Sequence, residues 1–191
     1  MIKSELRKSY LERRRSLSKA THSELSTEIV NRLFNSVDLD PVHALHCYIS
    51  LEHFGEVETS ILFSRVWEMH PQIITTAPRM NRDNGEIDSL IYQLDTPTQE
   101  SSWKIVEPRG SEIVAPEALD LIIVPLLCFD GRGHRVGYGR GYYDRFLRKC
   151  RPDCIKAGLS YFPPVDSIDD VHDADVALDL CVTPTETYRF H

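Results

Sequence analysis

The chain of 191 residues has no C-x-x-C pair. Its five cysteines, Cys47, Cys128, Cys150, Cys154 and Cys181, are odd in number and scattered, which argues against a disulfide framework and against a zinc site built on such pairs. It has no apolar run near the roughly 18 residues that a membrane span needs, and its first residues lack the apolar stretch of a secretory signal. The Arg-rich start is interrupted by Glu5 and Glu12, which argues against a transit peptide, since those avoid acids. It lacks an excess of base: the net charge of -7 disfavours a nucleic-acid binder, which needs Lys and Arg to displace counterions from phosphates. Neither G-x-G-x-x-G nor G-x-x-x-x-G-K-[ST] occurs, so a common dinucleotide or Walker-type site is disfavoured. No Ser-His-Asp or Cys-His arrangement is evident, and His46, His53 and His134 read as structural or surface residues. What remains is the expectation of one domain over residues 1–191, cytoplasmic, away from membranes and nucleic acid, a monomer or weak homo-oligomer acting on small molecules.

Base is present, but locally. Lys3, Arg7, Lys8, Arg13, Arg14, Arg15 and Lys19 crowd the first 20 residues, and a second cluster lies between Arg132 and Arg151. Two cationic patches on an acidic chain point to a small anionic ligand, although the first also fits the solvated face of a terminal helix. Ile2, Leu6, Tyr10 and Leu17 recur at helical spacing, predicting an amphipathic helix over residues 2–17 with a basic exposed face. A second helix is expected from Thr21 to Phe34, with Ser18 or Thr21 as cap, and a third from Thr59 to His70. Strands are expected at Ala44–Leu51, at Ile73–Ala77 ended by Pro78, and at Ile87–Leu94 after an Asn84-Gly85 turn that suggests an antiparallel edge. Leu119–Leu127, with Leu-Ile-Ile-Val inside it, is the most continuous apolar run and reads as a central parallel strand buried on both faces. A helix over Gly141–Cys150 and strands near Ile155–Tyr161 and Val176–Val182 complete the pattern. Alternating strands and helices predict a single three-layer α/β domain with a mostly parallel sheet, whose ligands bind beyond the carboxyl ends of the strands.

The loop after Leu127 is the place to look. Gly131, Gly133, Gly137, Gly139 and Gly141 are five of the nine glycines, packed into eleven positions. Such density suits backbone that must approach a ligand closely, and the run ends at an expected helix start, where free N–H groups favour phosphate. Arg135 and Arg140 would add charge-assisted donors. A plain surface loop with solubilising arginines is the alternative. Asp144, in the first turn of the expected helix, suits Mg²⁺ beside phosphate oxygens, or simply stabilises the helix N-terminus.

The stretch from Asp120 to Leu147, with its apolar strand and G-x-G-x-G-Y-Y-D, resembles the signature of the 5-formyltetrahydrofolate cyclo-ligases, also called methenyltetrahydrofolate synthetases. Lys3-x-x-x-Arg7, Glu56-Val57-Glu58-Thr59, Pro78-Arg79, Ser102-Trp103-Lys104-Ile105 and Asp175–Asp179 followed by Val182-Thr183 match that family in order, nearly end to end. The resemblance implies the fold shared with glucosamine-phosphate deaminases, ribose-phosphate isomerases and CoA transferases. It implies ATP-driven, Mg²⁺-dependent closure of 5-formyltetrahydrofolate to 5,10-methenyltetrahydrofolate through a phosphorylated formyl group. It also implies roles: Lys3, Arg7, Arg135, Gly137, Gly139, Arg140, Gly141 and Tyr142 around ATP; Asp144 and Asp175 on Mg²⁺, with Asp173 the fallback for Asp175; Glu56, Trp103 and Tyr142 on the folate; and Arg140, Tyr142 and Asp144 at the chemistry. Arg140 stands where the family often has Lys, and Tyr138 where a basic residue also occurs. A sugar-phosphate isomerase or deaminase, or a non-catalytic folate or nucleotide sensor, are the rival readings.

Overall fold

The computed structural model describes residues 1–81, 84–100, 105–110 and 112–190. Two helices open the chain, α1 (Lys3–Arg15) and α2 (Lys19–Ser36), followed by β1 (Ala44–Cys47), α3 (Thr59–Met69), β2 (Ile74–Asn81) and β3 (Glu86–Ile91). A small hairpin, β4 (Thr98–Glu100) with β5 (Val106–Pro108), precedes β6 (Leu121–Val124). Then come a second hairpin, β7 (Cys128–Phe129) with β8 (Arg135–Val136), and α4 (Tyr142–Leu147), β9 (Ile155–Leu159), β10 (Leu180–Val182) and β11 (Thr187–Arg189).

Seven strands form the main sheet in the order β11-β10-β9-β6-β1-β2-β3. The five inner strands run parallel, while β3 and β11 close the two edges antiparallel. The mostly parallel α/β architecture expected from the residue pattern is the one observed. From β1 the chain winds outward to β2 and β3, then returns to the other side of β1 with β6 and winds outward the opposite way. The point where direction reverses lies between β1 and β6, and it opens a crevice at their carboxyl ends.

Strand β6 explains how the layers stack. Its four residues are fully buried: Leu121 and Ile123 join the core under α2 and α3 with Ile29, Leu33, Leu62 and Val66, while Ile122 and Val124 join the opposite core with Phe129, Phe146 and Leu147. Alternation across a strand covered on both sides leaves no polar position, so the run reads as continuously apolar. Each such side chain contributes about 1.5–3 kcal/mol by leaving water. Gly158, in β9, sits where an added Cβ would lie 2.5 Å from Leu126 Cδ2 and 2.8 Å from Leu178 Cδ1, so any larger residue there would force those side chains to shift.

Several expected boundaries shift for identifiable reasons. The Ser18 hydroxyl accepts the Thr21 N–H (3.1 Å) and starts α2 at Lys19, two residues before Thr21. Strand β2 continues through Pro78 to Asn81 because β1 pairs only as far as Thr76, so beyond it the proline breaks no bond on that side. Helix α4 ends at Leu147, short of Cys150, and Pro152 lies just beyond. The strand expected from Val176 begins only at Leu180, because Val176 and Leu178 bond instead to Asp144 and Gly133. The hairpins β4–β5 and β7–β8 and the edge strand β11 are not among the expected elements; their strands of two or three residues are too short to show a period.

Candidate active site

Leu6, Tyr10 and Arg14 lie four apart on α1 and are buried against the domain. Arg14 is therefore not part of the exposed basic face that the charge pattern predicted. It is 2% exposed, and its guanidinium donates to the Leu126 carbonyl and, at 3.4 Å, to the Tyr138 hydroxyl. The neighbouring stripe of the same helix, Lys3, Arg7 and Leu11, faces a cleft of about 640 Å³ at the sheet's switch point. Leu51 and Phe54, which follow β1, and Pro125, which follows β6, form its floor and wall.

The glycine loop is held by Asp130, whose fully buried carboxylate accepts the N–H groups of Arg132 and His134, both at 3.0 Å, and of Ile168 at 3.3 Å. Burial pushes its pKa up, but those N–H groups and the Arg132 guanidinium at 3.0 Å outweigh burial and keep it low, so it stays charged. The anchoring role of Asp130 is not among the sequence expectations. From there the loop runs along the cleft, presenting Gly137, Gly139, Arg140 and Gly141. Arg7 Nε donates to the Gly137 carbonyl (2.9 Å) and its guanidinium packs 3.1 Å from where a Gly139 Cβ would stand. At φ +90°, Gly139 occupies backbone space that other residues adopt only under strain.

Two carboxylates line the same cleft. Asp144, in α4, accepts from Arg135 Nη2 (2.6 Å) and from the Val176 N–H (3.2 Å); Arg135 also donates to the Val176 carbonyl. Asp175 pairs with the Lys3 ammonium and accepts the His172 N–H at 2.7 Å; burial works against its charge, but these donors hold its pKa below the usual carboxylate value. Asp173 is exposed and stands outside the lining, so Asp175 is the acid at this place. Four cations, Lys3, Arg7, Arg135 and Arg140, face these two acids, leaving the cleft positive in a chain of net charge -7. Such a lining suits a polyanion. Among the described residues no three His, Cys, Asp or Glu side chains converge on a metal position. Two carboxylates nonetheless fit Mg²⁺ held jointly with phosphate oxygens, the usual way that ion is bound.

The aromatic residues divide. Tyr142 lines the cleft with the Arg145 guanidinium 5.2 Å from its ring centre. Tyr143 also lines it, but its hydroxyl lies 3.4 Å from His46 Nε2. His46 is fully buried on β1, with Nδ1 2.8 Å from the Ser89 hydroxyl, and burial lowers its pKa to about 3. The Ser89 hydroxyl donates to Thr76, and Thr76 to the Leu45 carbonyl, so His46 must donate from Nδ1 and accept at Nε2. The expectation of a structural histidine holds, and its link to Tyr143 is new.

Glu56 is placed apart from the cleft. It lines a neighbouring cavity of about 500 Å³ between the α1–α2 junction and the segment after β1. Its Oε1 accepts the Tyr138 hydroxyl (2.5 Å) and its Oε2 the Leu51 N–H (2.8 Å). Burial raises its pKa, an effect these two donors only partly offset. Trp103 lies outside the described residues; Ile105, two positions on, lines the cleft. The other residues expected at the site, from Lys3 to Asp175, are thus brought together by the fold.

Comparison with known proteins shows the family and the fold. The model of the 5-formyltetrahydrofolate cyclo-ligase family matches residues 1–184. The mitochondrial 5-formyltetrahydrofolate cyclo-ligase of Arabidopsis thaliana is 32% identical over 164 residues, 74% of this chain and 59% of that protein. The 5-formyltetrahydrofolate cyclo-ligase of Escherichia coli K12 is 25% identical over 187 residues, 94% of this chain and 98% of that protein. Among solved structures, the 5,10-methenyltetrahydrofolate synthetase of Aquifex aeolicus superposes with a TM-score of 0.78 at 28% identity, covering 100% of this chain and 94% of that one.

Proposed function

The chain belongs to the 5-formyltetrahydrofolate cyclo-ligase family, and from that premise we propose that it closes 5-formyltetrahydrofolate into 5,10-methenyltetrahydrofolate, using ATP and Mg²⁺ and releasing ADP and phosphate. The observation that carries the ATP-dependent reading is the gathering of Lys3, Arg7, Arg135, Arg140 and the Gly137–Gly141 backbone around one positive cleft that also holds Asp144 and Asp175.

The substrate's formyl group is an amide, whose carbon resists attack and whose oxygen leaves poorly. Transfer of the γ-phosphoryl group to that oxygen breaks the bond to ADP and forms a P–O bond. Nitrogen 10 then attacks the carbon, the C–O bond breaks, phosphate departs and the nitrogen 10 proton passes to solvent. Phosphoryl transfer asks the protein for position and for positive charge around the moving group, not for a nucleophilic side chain. In this reading Lys3, Arg7 and Arg140 hold the phosphates, and glycine N–H groups of the loop approach them closely. Loss of one well-placed donor costs about 10²–10³ in rate. Asp144 and Asp175 would hold Mg²⁺, which would supply positive charge to offset that of the phosphates. Arg135 holds Asp144 in place, and Glu56, Trp103 and Tyr142 serve the folate.

Purified protein mixed with ATP, Mg²⁺ and 5-formyltetrahydrofolate tests the proposal. ADP release with growth of the methenyl chromophore is expected. Binding of either compound without ADP would indicate a sensor, and neither binding nor turnover would reject the reading.

A further inference from the structure

Tyr138 stands between Gly137 and Gly139 in the loop that lines the phosphate cleft. Its hydroxyl reaches out of that cleft to Glu56 Oε1, 2.5 Å away, which belongs to the neighbouring cavity. Its ring lies against Phe54, with centroids 4.9 Å apart, and Phe54 also lines the cleft. Arg14 Nη1 approaches the phenol oxygen from the buried side at 3.4 Å. The Tyr138–Phe54 pair is therefore a partition, with Lys3, Arg7, Arg135 and Arg140 on one side and, on the other, the Glu56 carboxylate, 7% exposed, in a cavity that Arg14, Arg15 and Lys19 also line.

Folate and nucleotide must meet for a phosphoryl group to pass between them, yet Glu56 and the four cations of the phosphate cleft line separate cavities. We propose that Tyr138 is a gate: its hydroxyl occupies the Glu56 acceptor, and the pterin N–H donors of the folate take that acceptor over, releasing the ring so that the two cavities become one. The gate rests on the reading that Glu56 receives the pterin. Release needs no extra driving force beyond an exchange of donors, since a ligand shifts a conformational balance only by what it gains in one state over the other. The flanking glycines, Gly139 already at φ +90°, let the ring swing without carrying a bulky neighbour. Because the ring belongs to the phosphate-binding loop, folate binding resets the loop that meets the nucleotide, which makes each ligand alter the other's affinity.

Tyr138→Phe keeps the ring against Phe54 and deletes only the competing donor. The dissociation constant of 5-formyltetrahydrofolate is measured by calorimetry on the full chain, with and without a non-hydrolysable ATP analogue. A hydrogen bond to a charged group corresponds to about a 10-fold change in an equilibrium, and water returns part of it. Tyr138→Phe is therefore expected to bind the folate about 3- to 10-fold more tightly, to lower its KM in parallel, and to lessen the effect of the nucleotide analogue on folate affinity. A second variant, Phe54→Leu, loosens the ring from its other side and is expected to act in the same direction. Unchanged or weaker folate binding in folded Tyr138→Phe overturns the gate, whatever Phe54→Leu does. Glu56→Ala tests the underlying reading separately: loss of folate binding there, with no tightening in Tyr138→Phe, sinks the gate alone, whereas wild-type binding in Glu56→Ala sinks the reading of Glu56 and the gate with it.

Discussion

Asp144 is the residue whose removal separates the structural and chemical duties of the cleft. Its carboxylate joins three elements, because Arg135 from β8 and the Val176 N–H both donate to Oδ1, and Arg135 also donates to the Val176 carbonyl. The Arg135 side chain is 5% exposed and that of Asp144 is 23% exposed. Asp144→Ala leaves a buried guanidinium without its counter-charge, and breaking a buried pair costs about 3–5 kcal/mol. Water reaches the Asp144 side, so about 2–3 kcal/mol is the better figure here. In a chain of this length about 2–4 °C of Tm accompany each kcal/mol, which makes the expected fall about 5–10 °C. Asp144→Asn retains an oxygen acceptor for both donors and removes only the charge, so its Tm should fall by half that or less. Both variants lack the carboxylate that would share Mg²⁺ with the phosphates, and turnover should drop by about 10²-fold or more in each. Thermal denaturation and the methenyl absorbance assay read the two effects independently. Wild-type turnover by Asp144→Asn would refute the metal assignment, and an unchanged Tm in Asp144→Ala would refute the latch.

Other expectations follow from the same geometry. Because Lys3 and Arg135 already occupy Asp175 and Asp144, Mn²⁺ used as a paramagnetic probe should bind weakly alone and much more tightly with ATP; equal affinity with and without nucleotide would contradict a jointly held ion. Gly158→Ala forces a Cβ into contact distances near 2.5 Å and should cost about 1–3 kcal/mol by overpacking, read as a lower denaturant midpoint, while an unaltered midpoint would mean that the layers yield. His46 has its pKa lowered from 6.5 to about 3 in the folded chain, so the unfolded chain binds its proton first. Its contribution to stability is complete above about pH 6.5 and is lost as pH falls, by up to about 1.4 kcal/mol per unit, until about pH 3. Glu56, raised rather than lowered, acts with the opposite sign, so the comparison must be with His46→Gln, whose acid limb should be flatter; superimposable limbs would show that His46 does not titrate as described.

Much of the fold was legible because its signals are local. The Leu121–Val124 run, the helical spacing of Ile2, Leu6 and Tyr10, and the Asn84-Gly85 turn each record a backbone period or a turn geometry within a few residues. The glycine-rich stretch advertised the cleft for the same reason, and the Lys3-x-x-x-Arg7 stripe announced its second wall through helical spacing. Elements of two or three residues, such as the β7–β8 hairpin and β11, are shorter than any period and stayed hidden.

What the amino-acid order determined alone was therefore the identity of the segments, the family and the pool of cationic and acidic groups. Which of those groups meet was decided only in three dimensions. Arg14 and Arg15 are neighbours in a basic run, yet one is 2% exposed beneath the cleft while the other is exposed, because the helix's orientation on the sheet chooses its buried stripe. Tyr138 and Glu56 are 82 residues apart and meet at 2.5 Å only because β1 and β6 lie side by side at the point where the sheet reverses its winding. Contacts of that kind depend on the packing of whole layers, and no stretch of chain short enough to carry a period contains both partners.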